Sequence, residues 1–581
     1  ATIEYGALTL NDGDSIDGRK SSGGRVTLAG PGPAGSVGAI IAGRTGLGPT
    51  PGAVSITNLI LRNHPGAGIW VDDLRGTAVI SGVDIFANGG DGITLGTPPG
   101  AQFPDCAGVV TIGQPGAQGE NYIHGNGGWG VAIYEACNQV DAVGVRIQNS
   151  FIGIDEPLGL ADRGNALGGI NVFFARNVVI GGDEPTERNY IGWNDGPGIR
   201  VRGPSLTPLG TEPRIEGNWI GLARDITTSA RPNTTGILLS AGERITIGGT
   251  TPAQGNVVSG NAAHGIVNIS SAGIALGGLL VQNNIIGLNP ARTFVLPNGS
   301  DGIALLADGN AAIRDNVISG NAVQGIYLQG SSAVVVENNV LGLRGSANTA
   351  NDNTAAGNGQ SGIWIDGSPG CTVAGNRIAA NGGFGVRVSG DAADGAVVKG
   401  NLIGLSNGNA LRPNGVGVFV EGGADGTMVG GAGAGEGNTI SGNTFEGVRI
   451  TGAGTDGGVV RNNRIGTAPA GSGDLGNGSR GVRVDNGAGT TEILDNLISG
   501  NGSDGVSFEA STGSPKVQGN TIGLDAAGNP LPNAQSGLAI AAGSTGVLVG
   551  GGSVPNTIAG NANYGVYIAD AGTSANTVQG N

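Results

Sequence analysis

Between residues 60 and 140 the chain gathers side chains that could move protons. LRNHPGAGIWVDDLRG (61–76) carries His64, Trp70, Asp72, Asp73 and Arg75. Asp84, Glu120, His124, Tyr134 and Glu135 follow, and two of the three histidines of the chain lie in this stretch. Asp72 and Asp73 would serve as acid and base, with Arg75 orienting an anionic group of the substrate. The spacing speaks against it: adjacent strand residues face opposite sides, so one Asp of the pair only starts a turn. His124 stands where most copies of the repeat described below have a small residue, and reads as a corner variation.

Two further groups could bind ions. NDGDSIDG (11–18) alternates acids as a calcium loop does, but lacks the terminal Glu and the ligand spacing of an EF-hand. It reads as a turn rich in Asp and Gly, with Ca2+ the one cofactor it could hold. Cysteine is rare: Cys106, Cys137 and Cys371. That is too few for a disulfide scaffold. Cys106 and Cys137 are close enough in sequence to be bridged across neighbouring coils, or to stay two thiols; Cys371 has no evident partner. The sequence therefore assigns no catalytic residue, no cofactor-binding residue and no metal ligand.

Composition narrows the class. Of 581 residues 119 are Gly, without a Gly-X-Y period, so collagen is excluded. Charged residues make up only 13% and the net charge is −15. A nucleic-acid binder needs a basic footprint, and an anionic membrane surface would attract one; neither partner fits. No apolar run approaches the roughly 20 residues of a membrane span.

The elements that must position any site come from a repeat. NVISGNAVQGIYL (316–328) recurs as NTISGNTFEGVRI from Asn438, NLISGNGSDGVSF from Asn496 and NTIAGNANYGVYI from Asn556. NVVSGNAAHGIVN from Asn256 is a further copy and looser ones begin at Asn121, Asn189 and Asn376, so the steps are 68, 67, 60, 60, 62, 58 and 60 residues. A second motif, NIIGL (284–288), NVLGL (339–343) or NLIGL (401–405), keeps the same beat. Apolar residues alternate by two, as in strands, rather than at helical spacing. Ile318, Ile326 and Leu328 then face one side, with Gly320-Asn321 and Gly325 at corners where Gly and Asn tolerate positive φ. Short strands joined at such corners form successive sides of a coil. A period of about sixty residues reads as three coils of about twenty, giving about 26–29 coils. Asn321 and its equivalents are placed to chain their amides into a ladder.

On these motifs the chain resembles the right-handed parallel β-helix proteins of the pectate-lyase-like superfold, and more narrowly the large bacterial surface and secreted proteins built from such repeats. Residues 520–568, NTIGLDAAGNPLPNAQSGLAI through NTIAGNANYGVYI, carry the resemblance most closely. It implies an all-β, single right-handed parallel β-helix solenoid over residues 1–581. Residues 1–60 would form the first coils, 61–145 irregular coils with insertions, and 146–581 the regular repeats. The outward columns read from the copies, such as Tyr327, Arg387, Arg449 and Ser507, share no chemistry. The expected function is an extracellular structural or adhesive protein at the cell surface, a stalk, fibre, sheath or filament component without catalysis. A polysaccharide lyase or uronate epimerase is the alternative, and a phage or virus fibre a further one. Neither terminus carries a cap and the end VQGN (578–581) repeats VQGN (517–520), so the chain is expected to be part of a longer one. Its expected partners are neighbouring segments or copies at the open ends, and surface glycans.

Overall fold

The computed structural model of the chain describes residues 2–4, 8–10, 14–19, 25–30, 38–42, 53–71, 76–96, 108–134, 144–155, 161–175, 177–203, 213–224, 227–240, 244–269, 278–344, 354–551 and 553–581. Asp72, Asp73, Arg75, Cys106, Glu135, Cys137 and the first three residues of NDGDSIDG lie outside them. Among the described residues there are 57 strands and only two short 3-10 turns, Pro185–Glu187 and Pro252–Gln254. The chain is all-β. It divides into two compact units, residues 1–300 and 301–581, each a parallel β-helix with the same three sheets.

One coil of the second unit explains the plan. Ala312–Arg314 belongs to sheet C, Val317–Ile318 to sheet A and Ile326–Gln329 to sheet B. Each strand pairs in parallel with its counterpart on the next coil: Ile313 with Val336, Ile318 with Leu341, Ile326 with Ile363. Parallel strands joined by crossovers take the right hand almost without exception. Alternation sends Ile313, Ile318, Ile326 and Leu328 inward, where each is fully buried. The core is thus a stack of Ile, Val and Leu columns.

At four successive coils the corner between sheets C and A is two residues long, and its first residue adopts positive φ: Asp315 (57°), Asn338 (57°), Gly375 (66°) and Gly400 (63°). Only Gly, Asn and Asp accept this conformation cheaply, which explains their alternation there. The second corner residue is always Asn in this unit, and its amide donates to the next: Asn316 to Asn339, Asn339 to Asn376 and Asn376 to Asn401, each at 3.0 Å. A second ladder runs at the corner between sheets A and B: Asn321 to Asn358 (3.0 Å), then Asn381 and Asn414 (2.9 Å each). The first unit carries both ladders too, for example Asn189–Asn218 and Asn126–Asn165.

The expected coil size needs correction. Strands of sheet A begin at Val317, Val340 and Arg377, so successive coils take 23 and 37 residues. The sixty-residue repeat is two coils, not three, and the described residues hold 19 strands per sheet in place of 26–29 coils. The segment counted as a third coil is an arm. After Leu402–Ile403 the chain leaves sheet A, doubles back through an antiparallel bridge between Leu405 and Leu411, and returns at Asn414. The same bridge closes other arms, Leu288 with Val295, Thr467 with Asp474 and Leu524 with Pro530. The Asn of each Pro-Asn or Gly-Asn pair ending an arm is the ladder residue of the alternate coil.

Candidate functional site

The outer face of sheet B in the 301–581 unit carries the densest chemistry among the described residues. Strand register places Tyr327, Trp364, Arg387, Phe419, Arg449, Arg483, Ser507, Ala539 and Tyr567 in one column. Two residues further along each strand run Asp366, Ser389, Glu421, Thr451, Asp485 and Glu509. Outward alternation puts them there, because their neighbours Ile365, Val388, Val420 and Val484 point inward.

These side chains engage across coils. The Tyr327 hydroxyl donates to Asp366 (2.9 Å), and the Trp364 indole N–H donates to Ser389 (2.8 Å). The Arg387 guanidinium stacks 4.2 Å from the Trp364 ring centre and donates to Glu421 (2.8 Å from Nε). Phe384 and Phe419 stack at 4.5 Å. Arg449 and Arg483 both reach Asp485, each at 2.9 Å, and Arg483 and Arg480 both reach Glu509, at 2.6 and 2.8 Å. Glu446 lies 3.5 Å from Arg483. Asp485 is buried, so its charge depends on these two arginines.

Sequence comparison of the repeats missed this face. Tyr327, Arg387, Arg449 and Ser507 come from every second coil, and the intervening coils supply Trp364, Phe419 and Arg483. The missing signal is in the alternate motif, SGIWIDG (361–367), VGVFVEG (416–422) and GVRVDNG (481–487). The residues before the second Gly also differ from their expected exposure: Gln324, Glu446, Asp504 and Trp129 are buried. Several bind the backbone of the next coil. Asp301 accepts from the Gln324 amide (2.9 Å), Gln324 from Ser361 (2.7 Å) and Asp504 from Ser536 (3.0 Å).

The residues singled out between 60 and 140 do not converge. Trp70 and Tyr134 lie on sheet B; Asp84 and His124 lie on sheet A. His124 Nε2 is 3.3 Å from Asp84 Oδ1, and its ring stacks on Phe86 at 5.1 Å. Glu120 accepts from the Tyr122 hydroxyl (2.9 Å) and from Arg224 (2.6 Å), which pins the arm that carries Arg224. Burial and Glu120 push the Tyr122 phenol up. His64 is buried and its Nδ1 accepts from the Gly66 amide (3.1 Å); burial lowers its pKa and keeps the ring neutral. Asp17, from the candidate calcium loop, accepts from Asn58 (2.9 Å) and from the Arg19 amide (3.0 Å), which hold its carboxyl below the usual range. It is the last residue of the strand Ser15–Asp17, which pairs with the strand Ala53–Thr57. Among the described residues no group of three or more His, Cys, Asp or Glu side chains is placed to hold a metal ion.

The chemistry open to sheet B follows from its pairing. Asp366, Glu421, Asp485, Glu446 and Glu509 each face a partner on the same surface, whereas glycosidic cleavage needs one free and one protonated carboxyl at set separation. Tyr327 is a poor base, because burial and Asp366 raise its pKa. The face offers hydrogen-bonding edges, guanidinium planes and partly exposed rings: the means of recognition.

Comparison with known proteins fits this architecture. No curated protein matches the chain. Solved structures that resemble it include the Azotobacter vinelandii mannuronan C-5 epimerase AlgE4 A-module, at 17% identity over 71% of this chain and 91% of that one, with a TM-score of 0.37. Others are the Dettilon tailspike protein (14% identity, 70% and 62% covered, TM-score 0.28) and an alginate lyase from Paenibacillus sp. str. FPU-7 (13%, 61% and 93%, 0.26). Enzymes and a tailspike are thus both among them, and likeness at this level bears on no activity. Among the described residues no helix is long and apolar enough to cross a membrane. The family model described as right handed beta helix region matches residues 253–430, 339–522 and 404–581, together more than half of the chain, and the protein belongs to that family.

Proposed function

We propose that the chain is an extracellular structural and adhesive β-helix protein of the cell surface, a rigid scaffold that presents the outer face of sheet B to glycans and performs no catalysis. One observation carries this reading: on that face rings, guanidinium groups and carboxylates are interlocked from Tyr327 to Glu509, so the acids are committed to holding the surface together. Such a surface binds hydroxyl-rich polymers through ring edges and charge-assisted hydrogen bonds. The second reading, a polysaccharide lyase or uronate epimerase, has in its favour the proximity of His124 to Asp84, an imidazole 3.3 Å from a carboxylate.

Affinity electrophoresis in gels containing neutral polysaccharides or polyuronates, followed by product analysis of the same polymers after incubation with the chain, decides between the two. Retardation without product supports the adhesive reading. Unsaturated or epimerised product that vanishes in His124→Ala overturns it. Labelling of intact cells with an antibody against the chain tests the surface location.

A further inference from the structure

The outer face of sheet B is not level. Beyond Arg483 the column continues through Ser507 and Ala539 before reaching Tyr567, and the next column passes from Glu509 to Ala541. The small side chains Ala539 and Ala541 between bulky neighbours leave a cleft of about 490 Å³. Arg480 and Glu509, 2.8 Å apart, form one wall. The opposite wall is Tyr564 and Tyr567, whose rings stack at 5.3 Å. Asp504 and Asp570 also line it. Ala539, in the floor, sits one coil, about 4.8 Å, from Tyr567.

We propose that this cleft is a saccharide subsite that takes an uncharged pyranose unit of a glycan chain; it rests on the adhesive reading above and names its ligand. The tyrosine pair lines the cleft with two stacked rings, which offer apolar surface to the C–H face of a sugar. The opposite wall supplies the polar complement, a guanidinium that donates to hydroxyl oxygens and carboxylates that accept from hydroxyl protons. That wall is preorganised. Glu509 is fixed from two sides by Arg480 and Arg483, and Arg483 is itself anchored on buried Asp485. Charge selects the sugar. Asp504, Glu509 and Asp570 outnumber Arg480 three to one, so a uronate would bring its carboxylate into a site of the same sign, whereas a neutral sugar meets no such cost.

The test fills the cleft. Ala539→Phe places a ring between Ser507 and Tyr567, in a column that already carries rings on other coils. Neutral hexasaccharides of glucose, galactose and mannose, and hexamannuronate as the charged counterpart, are titrated calorimetrically into the chain and its variants. At least one neutral hexasaccharide binds, and Ala539→Phe and Tyr567→Ser each weaken it roughly tenfold or more. Arg480→Gln, which leaves Glu509 paired with Arg483, does the same and serves if Ala539→Phe does not fold. Neutral binding unchanged in Arg480→Gln and Ala539→Phe but lost in Trp364→Ala overturns the subsite and leaves the adhesive reading standing. Binding of none of the sugars overturns both. Tighter binding of hexamannuronate than of every neutral sugar overturns the assignment of an uncharged ligand.

Discussion

Arg387 lies over Trp364, its guanidinium carbon 4.2 Å from the centre of the indole, and the two residues are direct neighbours on successive coils. Glu421, two positions along the following strand from the partner of Arg387, holds the guanidinium from the other side. One charge is therefore shared between a ring and a carboxylate across three coils. A stacked, partly desolvated arginine contributes about 0.5–2 kcal/mol over the ring. A double-mutant cycle of Trp364→Ala and Arg387→Ala, measured by urea unfolding, should return a coupling in that range. Strict additivity would mean that the contact carries no energy.

The two sides of one strand answer differently to the same charge. Ile318→Asp puts a carboxylate among fully buried Ile and Leu side chains and should cost about 4 kcal/mol or more, enough to unfold its coils at room temperature. From the sequence, Tyr327→Asp would be nearly silent. The hydroxyl bond to Asp366 and the contact with Trp364 change that. The substitution removes both and sets a second carboxylate beside Asp366, so a loss of about 1–2 kcal/mol is expected. Tyr327→Phe should lose about half as much. Thermal melts of the three variants rank these effects directly.

The strands were legible because they are local. Alternation of apolar residues marks the inward face whatever the coil size, and of the expected corner residues Gly320 takes positive φ (76°) whereas Asn321 and Gly325 do not. Coil number was not legible, because an arm such as residues 404–414 has the apolar residues and the terminal Asn of a coil, and two coils with one arm fill the sixty residues that three coils of about twenty would. Only the antiparallel return of Leu405 to Leu411 distinguishes it. The misreading hid the site. The comparison took one strand from each repeat, Tyr327 and then Arg387, and passed over Trp364, which the chain sets between them. Glu446 and Asp504 show the opposite limit. Their corner position reads as exposed, yet both are buried, and the amide of Ser536 that binds Asp504 comes from a coil 32 residues away.

Asn358 tests the ladder. Its oxygen accepts from the side chain (3.0 Å) and backbone (3.1 Å) of Asn321, and its amide donates to Asn381 (2.9 Å) and to the Ile318 carbonyl (3.1 Å). Asn358→Ala would leave several buried polar groups unmatched at once, at about 1–3 kcal/mol for each group that water cannot reach. A total loss of about 3 kcal/mol is expected. Asn358→Asp keeps the acceptor but removes both donors and should lose a comparable amount. Hydrogen exchange should accelerate at the Asn321 amide and at neighbouring coils before it changes in remote ones. Uniform acceleration through the whole unit would mean that the ladder acts only through global stability.

Cys371 gives a pH signature. Its side chain is fully buried, with Sγ 3.6 Å from the Ser331 carbonyl and 3.9 Å from that of Pro369. Burial pushes the thiol up to about 11 from its ordinary value of 9.0. The thiolate is the reactive form, so native protein at pH 8 should resist a thiol-specific disulfide reagent and react at once when denatured. A Cys106→Ser, Cys137→Ser background isolates this thiol. The sign of the stability effect follows from proton binding. Between pH 9 and pH 11 the unfolded chain has released the thiol proton and the folded chain has kept it, so each rise in pH favours unfolding. The contribution is fully present below pH 9 and declines through pH 11, by up to about 2–3 kcal/mol in all. Urea midpoints collected from pH 7 to pH 11 should fall more steeply for this background than for the same chain carrying Cys371→Ala. Parallel curves, or labelling of Cys371 in the native state at pH 8, would place the thiol within reach of solvent and contradict its burial between the coils.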